Sequence, residues 1–203
     1  MEKHSSKKVL IRIAFVALFA ALTALGTFIS IPIGPIPIVL QNMFAVLSGL
    51  ILGPLMGGAA TALFLLAGIL NFPVFSGGTG GISHFFGPTG GYLVGYLLAS
   101  ITAGLITGSP ARENSESSPI LVGSLRLKIS KTLIIRLIIA VAAAFIVIYI
   151  PGLYWLKISR NLDWQRTLVG GLYPFIPGDI LKAIVAVLIA PRLRRIARDF
   201  LNG

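Results

Sequence analysis

Long apolar stretches dominate the chain, and proline, glycine or charged residues mark the breaks between them. Residues 13–111 contain no Asp, Glu, Lys or Arg, so their only titratable side chains are His84 and tyrosines. A helix that crosses a bilayer needs about 20 mainly apolar residues. This stretch therefore has room for about four crossings, and the pattern predicts an all-α integral membrane protein.

Hydropathy and helix breakers together predict six transmembrane helices in a single membrane domain, residues 1–203. The predicted helices cover about 13–29, 39–52, 56–70, 89–106, 132–150 and 164–190. Alternating prolines in residues 32–37 predict a stiff loop, because proline removes backbone donors and restricts the preceding residue. Residues 108–131 predict a polar cytoplasmic loop, and residues 151–163 a second connection.

Composition supports the membrane class and excludes several kinds of site. Charged residues make up 11% of the chain, against about 25% in ordinary soluble domains. The sequence has no cysteine, which excludes disulfides, thiolate metal sites and cysteine nucleophiles. Its two histidines, His4 and His84, are too few for a multi-histidine metal site, so no metal is predicted.

The positive charges predict the orientation of the chain. Of 17 Lys and Arg residues, four lie at the amino end, five in the 108–131 loop and its edge residue Arg136, and four in the carboxyl tail. Lys and Arg concentrate on cytoplasmic segments, so both termini are predicted to be cytoplasmic in a multi-pass protein of the cell membrane. Because topology already accounts for these charges, no nucleic-acid partner is predicted.

One acidic and one basic residue lie inside the last apolar stretch. Asp179 and Lys182 are three positions apart, on one helical face, and charges within a span usually face a partner or a cavity. Pro177 favours the start of a half-helix with Asp179 in its first turn, and broken helices form binding sites in many transporters. The alternative is a structural ion pair inside the bundle.

The glycine-rich stretch 75–92 is a second candidate site, since irregular backbone at membrane depth is tolerated only where it is buried or lines a cavity. It lacks the Gly-Lys-Ser/Thr ending of a phosphate loop, so no nucleotide site is predicted. His84, beside two phenylalanines, is interpreted as a packed or interfacial residue. Tyr92 is a candidate ligand contact or an interfacial tyrosine, and Gln41 a ligand contact or an interhelical hydrogen bond.

Four motifs occur in order along the chain, and together they resemble the BioY family, the biotin-specific S components of energy-coupling factor transporters. They are Ile31-Pro32-Ile33-Gly34-Pro35-Ile36-Pro37-Ile38-Val39-Leu40-Gln41, Ser76-Gly77-Gly78-Thr79-Gly80-Gly81, Gly87-Pro88-Thr89-Gly90-Gly91-Tyr92 and Phe175-Ile176-Pro177-Gly178-Asp179-Ile180-Leu181-Lys182.

The resemblance implies a six-helix S component that binds biotin from outside, in a cavity covered by the loops between helices one and two and helices three and four. Asp179 would accept from the ureido N–H groups, and Lys182 would donate to the ureido carbonyl or keep Asp179 ionised. The implied substrate-binding set is Asp179, Lys182, Gln41, Tyr92 and Gly80.

The resemblance also implies partners, since the chain has no nucleotide site to drive uptake. These are a transmembrane T component and two ABC-type ATPases, and no cofactor is implied. Small residues on the first helix, Ala17 and Ala21, would form the docking face for the T component, with internal packing as the alternative. A stand-alone ion-coupled carrier remains the other functional hypothesis, because an intramembrane Asp is a usual proton relay. An intramembrane enzyme is disfavoured, since an Asp and a Lys alone do not make a catalytic set.

Overall fold

The computed structural model of the chain describes residues 2–31, 38–110, 120–122, 125–127 and 131–202, and it confirms the all-α prediction. Within those ranges the helices are α1 Glu2–Leu25, α2 Gln41–Leu52, α3 Pro54–Ile69, α4 Ser83–Phe86, α5 Gly90–Thr107, α6 Lys131–Ser159, α7 Trp164–Gly171 and α8 Ile176–Asn202. Two short antiparallel strand pairs accompany them: β1 Ser30–Ile31 with β2 Ile38–Val39, and β3 Ile120–Val122 with β4 Leu125–Leu127.

The break between α2 and α3 lies where the sequence predicts it. Gly53 has a φ of 82°, a conformation that glycine adopts without steric cost. Pro54 follows as the first residue of α3, where its missing N–H has no intrahelical partner to lose. The two residues therefore end one helix and begin the next with no intervening loop.

The predicted end of the fifth helix at Ile150 is wrong. Helix α6 continues through Pro151 to Ser159, so only residues 160–163 separate it from α7. The proline removes one intrahelical hydrogen bond, which apolar helices packed against neighbours tolerate. Helix α5 is the neighbour that packs on this turn, since a Cβ at Gly91 of α5 would lie 2.2 Å from the carbonyl oxygen of Pro151.

The last predicted helix is broken into two, as its prolines indicate. Helices α7 and α8 meet at 48°, and Asp179 lies in the first turn of α8. Helix α8 does not stop at Ala190 but includes the basic tail as far as Asn202. The carboxyl tail is therefore part of the bundle.

Helix α5 occupies the centre of the bundle, packed against α2, α3 and α6, while α1 packs on α2 and α3 and α8 on α2 and α6. Glycines allow the central helices to touch. A Cβ at Gly49 of α2 would lie 1.9 Å from the carbonyl oxygen of Ser100, and one at Gly104 would lie 2.3 Å from the nitrogen of Pro54. Side chains larger than hydrogen would force these helices apart.

Among the described residues, three helices are long and apolar enough to cross a membrane: α1 over Ser6–Leu25, α5 and α6. The bent pair α7 and α8 would make a fourth span, and α2 and α3 are shorter apolar helices. The count of six crossings therefore stays a prediction. The predicted proline loop at 32–37 lies outside the described residues, as do 111–119, 123–124 and 128–130 of the polar 108–131 loop.

Candidate ligand-binding site

The centre of the candidate site is an ion pair inside the bundle. Lys182 Nζ lies 2.9 Å from Asp179 Oδ1. Asp179 is 7% exposed and Lys182 5% exposed. An ion pair this deeply buried must satisfy its remaining hydrogen-bonding groups, because unpaired buried charge is strongly destabilising.

Residues of two other helices meet those requirements. Asn42 of α2 donates from Nδ2 to Asp179 Oδ1 over 3.0 Å and accepts from Lys182 Nζ at its Oδ1, also over 3.0 Å. Lys182 donates a further bond of 2.8 Å to the carbonyl oxygen of Val39, and the Tyr149 hydroxyl of α6 donates to Asp179 Oδ2. The polar cluster, defined as Asp179, Lys182, Asn42 and Tyr149, therefore joins α2, α6 and α8.

The broken helix places Asp179 in this cluster. As a first-turn residue of α8, it has its carboxylate near the positive end of the helix dipole. A carboxylate has about four acceptor positions. Asn42, Lys182 and Tyr149 occupy three of them, which leaves room for about one further donor.

A cavity of about 370 Å³ lies beside the cluster, beneath the glycine-rich stretch. Such a volume is within the range of small-molecule sites, roughly 300–1,000 Å³. Its wall combines apolar rings with a few polar groups, as ligand pockets commonly do. The polar contributors are Gln41, Ser76, Ser83, His84 and Thr89.

A much smaller pocket of about 20 Å³ lies between the cavity and the polar cluster. Both Asn42 and Lys182 line it, and it shares Val39, Tyr92 and Tyr96 with the larger cavity. That volume holds about one water molecule. The three shared side chains therefore form the wall that separates the cavity from the buried ion pair.

Gln41 is placed at the larger cavity but is already engaged. It is 2% exposed, and its Nε2 donates to the Thr27 hydroxyl and, over 2.6 Å, to the carbonyl oxygen of Val74. These bonds hold the first turn of α2 to the segment after α1 and to the residue before the glycine-rich stretch. They join a helix to loop residues rather than two helices, at a position that also lines the cavity.

Tyr92 lines both the cavity and the smaller pocket. Its hydroxyl donates a 2.8 Å bond to the carbonyl oxygen of Gly171 at the end of α7, and its ring meets that of Tyr149 edge to face with centroids 6.2 Å apart. The side chain is therefore buried and oriented, and it presents part of its ring to the cavity.

Gly80 is not among the residues that line either cavity. A Cβ at this position would lie 2.3 Å from the carbonyl oxygen of Phe72. The described contacts thus give Gly80 a packing role, because only glycine lets the loop backbone approach residue 72 so closely.

Sequence reasoning missed Asn42, Tyr149 and Tyr96. Asn42 carried a usable signal, since a second amide next to Gln41 in an apolar helix needs partners of its own. Nothing in the sequence distinguishes Tyr149 and Tyr96 from the tyrosines that are common at membrane interfaces. Their contribution depends on the orientations of α5 and α6, which only the packed structure gives.

The predicted docking residues lie on the outside of the bundle. Ala17 and Ala21 of α1 are both exposed, whereas the neighbouring Ala20 is buried. In the described bundle these two alanines therefore do not take part in internal packing, which is the alternative interpretation. A face of small side chains on α1 remains available to lipid or to another helix.

Comparisons with known proteins show the family of the chain. A sequence model of the BioY family matches residues 1–199. The chain is 38% identical over 182 residues to a probable biotin transporter BioY of Pyrococcus horikoshii, covering 90% of this chain and 95% of that protein. It is 33% identical over 197 residues to the biotin transporter BioY of Lactococcus lactis, covering 96% and 95%.

A solved structure has the same fold. The crystal structure of the S-component for biotin from an ECF-type ABC transporter matches with a TM-score of 0.75 and 30% identity, covering 96% of this chain and 94% of that one. The similarity therefore extends over nearly the whole of both chains.

Proposed function

This chain belongs to the BioY family, and on that premise we propose that it is the membrane subunit that captures biotin for an uptake transporter. The family and the apolar helices make it a multi-pass membrane protein. Its role is transport rather than catalysis, as the names of its relatives state for those proteins.

A buried ion pair lies next to a cavity of ligand size, and this arrangement supports biotin as the ligand. Biotin is polar at both ends and apolar between them: a ureido ring with two N–H donors and one carbonyl, a sulfur ring with an alkyl chain, and a carboxylate. The cavity wall of aromatic rings suits the middle of that molecule. The polar cluster suits the ureido ring, because charge-assisted hydrogen bonds are strong away from water.

Two of the three ureido groups then have a partner in the cluster. Asp179 accepts from one N–H at its remaining acceptor position. Lys182, whose three N–H groups bond Asp179, Asn42 and Val39 in this structure, exchanges one of these bonds for a bond to the ureido carbonyl. The smaller pocket is too narrow for a ring, so the side chains of Val39 and Tyr96 move when the ligand head enters, while Tyr92 stays bonded to Gly171.

Gln41 and Tyr92 complete the binding set by closing the cavity around the ligand. Both line the cavity and are fixed by hydrogen bonds to backbone carbonyls. Fixed side chains lose little further freedom when a ligand binds. Gly80 contributes indirectly, by letting the glycine-rich loop pack tightly over Phe72.

The energy for uptake comes from partners: a transmembrane T component and two ABC-type ATPases. Exposed Ala17 and Ala21 support α1 as the docking helix, because small side chains permit close helix approach. Both termini face the cytoplasm, where the ATPases operate, and the glycine-rich loop faces outside. The distribution of Lys and Arg supports this orientation.

Uptake into proteoliposomes tests the proposal. Vesicles that contain this chain with its T component and ATPases should accumulate radiolabelled biotin when ATP is supplied. Vesicles that contain this chain alone should bind biotin without accumulating it, with or without a proton or sodium gradient. Gradient-driven accumulation by the chain alone would instead establish a stand-alone ion-coupled carrier.

A further inference from the structure

Among the described residues that line the larger cavity, His84 is the one ionisable side chain other than tyrosine, and the proposed biotin contacts leave it unused. It lies on α4, is half-buried, and lines the larger cavity but not the smaller pocket. Its sequence neighbours predict a packed residue, and the structure shows packing and cavity exposure together.

The imidazole ring is held in place by a rigid neighbour. It stacks in a tilted arrangement on Phe75, with centroids 5.4 Å apart. Phe75 is 1% exposed, and its ring fills the space over Gly68, where an added Cβ would lie 2.0 Å from Phe75 Cζ. His84 is therefore positioned by the core rather than by the loop alone.

No other lining residue of the larger cavity can carry a positive charge. All of its described lining residues lie between positions 39 and 96, and residues 13–111 contain no Lys or Arg. Lys182 lines only the smaller pocket and is already bonded to Asp179. Among the described lining residues, His84 is thus the one side chain that can offer a cationic donor to an anionic group of a ligand in the larger cavity.

Hydroxyl side chains line the larger cavity but not the smaller pocket at Ser76, Ser83 and Thr89. Ser83 precedes His84 in the chain, and Ser76 follows Phe75, the ring that His84 contacts. Hydroxyls donate to carboxylate oxygens in short hydrogen bonds. An imidazole N–H with two nearby hydroxyls is a donor set that suits a carboxylate and offers little to a neutral amide nitrogen.

We propose that His84, assisted by Ser76 and Ser83, binds the carboxylate of the transported acid and makes the site selective for carboxylates over neutral amides. The inference deepens the proposed function and rests on it: the ureido ring faces the polar cluster, and the acid chain extends toward α4. The two ends of the ligand are thus bound by two separate groups of residues.

Comparing two ligands with different charge at one end tests this assignment. The purified full-length chain is titrated with biotin and with biotinamide, in which a neutral amide replaces the carboxylate. The variants are His84→Gln, which keeps a polar side chain of similar reach that cannot carry a positive charge, and His84→Arg, which places a permanent cation there. Ile82→Gln, at an exposed position of the same stretch outside the cavity wall, is the matched control.

His84→Gln should weaken biotin binding about tenfold, the effect of losing a hydrogen bond to a charged group, and should leave biotinamide binding within about twofold of the parent. His84→Arg should recover most of the biotin affinity, and Ile82→Gln should bind both ligands as the parent does. Equal weakening for both ligands, or no weakening for biotin, would overturn the assignment. If the parent binds neither ligand, the proposed function fails, and this inference with it.

Discussion

Asn42 donates a 3.0 Å hydrogen bond to Asp179, a residue 137 positions later in the chain, and so connects the first turn of α2 to the first turn of α8. The same amide accepts from Lys182. One neutral side chain thus satisfies both members of a buried ion pair, and it lines the pocket between that pair and the cavity.

Replacing Asn42 by Ala should therefore impair both stability and binding. The change removes a donor from Asp179 and an acceptor from Lys182, and each buried group left short of a partner costs about 1–3 kcal/mol. The variant should unfold at a lower temperature in detergent and bind biotin more weakly. Gln165→Ala, at an exposed position in α7, is the control and should match the parent in both measurements.

Asp179→Asn tests the charge of the site while keeping its shape. Binding of biotin should weaken by about 1.5–3 kcal/mol, the usual worth of a hydrogen bond to a charged group, as measured by titration calorimetry. Lys182 would lose its counter-charge in this variant, so Asp179→Asn with Lys182→Gln is the required control for folding. A well-folded double variant that binds biotin as tightly as the parent would make the pair purely structural.

Bulky residues on the exposed face of α1 should separate assembly from binding. Ala17→Trp with Ala21→Trp should prevent co-purification with the T component and abolish uptake by cells, because close helix approach needs small side chains. Biotin binding by the isolated subunit should be unchanged. Ala142→Trp, at an exposed position of α6, is the matched control. Loss of assembly in that variant as well would contradict the assignment of α1 as the docking helix.

The charge distribution predicts which side of the membrane each end occupies. A reporter fused after Gly203 should be active only in the cytoplasm. A single cysteine at Thr79, which is exposed in the glycine-rich stretch, should react with an impermeant thiol reagent added to whole cells. An external carboxyl terminus would contradict the proposed orientation and the even number of crossings.

Local backbone chemistry made part of the fold predictable from sequence. Gly53-Pro54 ends one helix and starts another, and Pro177 marks the start of α8, because these effects act within a few residues. The same rule failed at Pro151, where α6 continues. Packing of α5 against that turn outweighs one lost hydrogen bond, and packing is not visible in a local pattern.

The site was predictable where a residue is chemically out of place, as Asp179 and Lys182 are in an apolar helix. Its partners Asn42 and Tyr149 were not predicted, because which side chains meet depends on helix orientation. Arg194 shows the same limit. The sequence assigns it to the basic tail, but it is 1% exposed and donates to the carbonyl oxygens of Leu50, Thr107 and Gly108, where α2 and α5 end.

Competition binding tests most directly whether this chain recognises biotin itself. Purified protein in detergent is loaded with radiolabelled biotin and challenged with unlabelled biotin, lipoate or riboflavin. Lipoate shares the acid chain but lacks the ureido ring, so it should compete at least about a hundredfold less well than biotin, as expected when buried polar groups are left unpaired. Riboflavin should not compete in the same range. Equal competition by all three compounds would contradict the assignment of the polar cluster to the ureido ring and the proposal of a biotin-specific subunit.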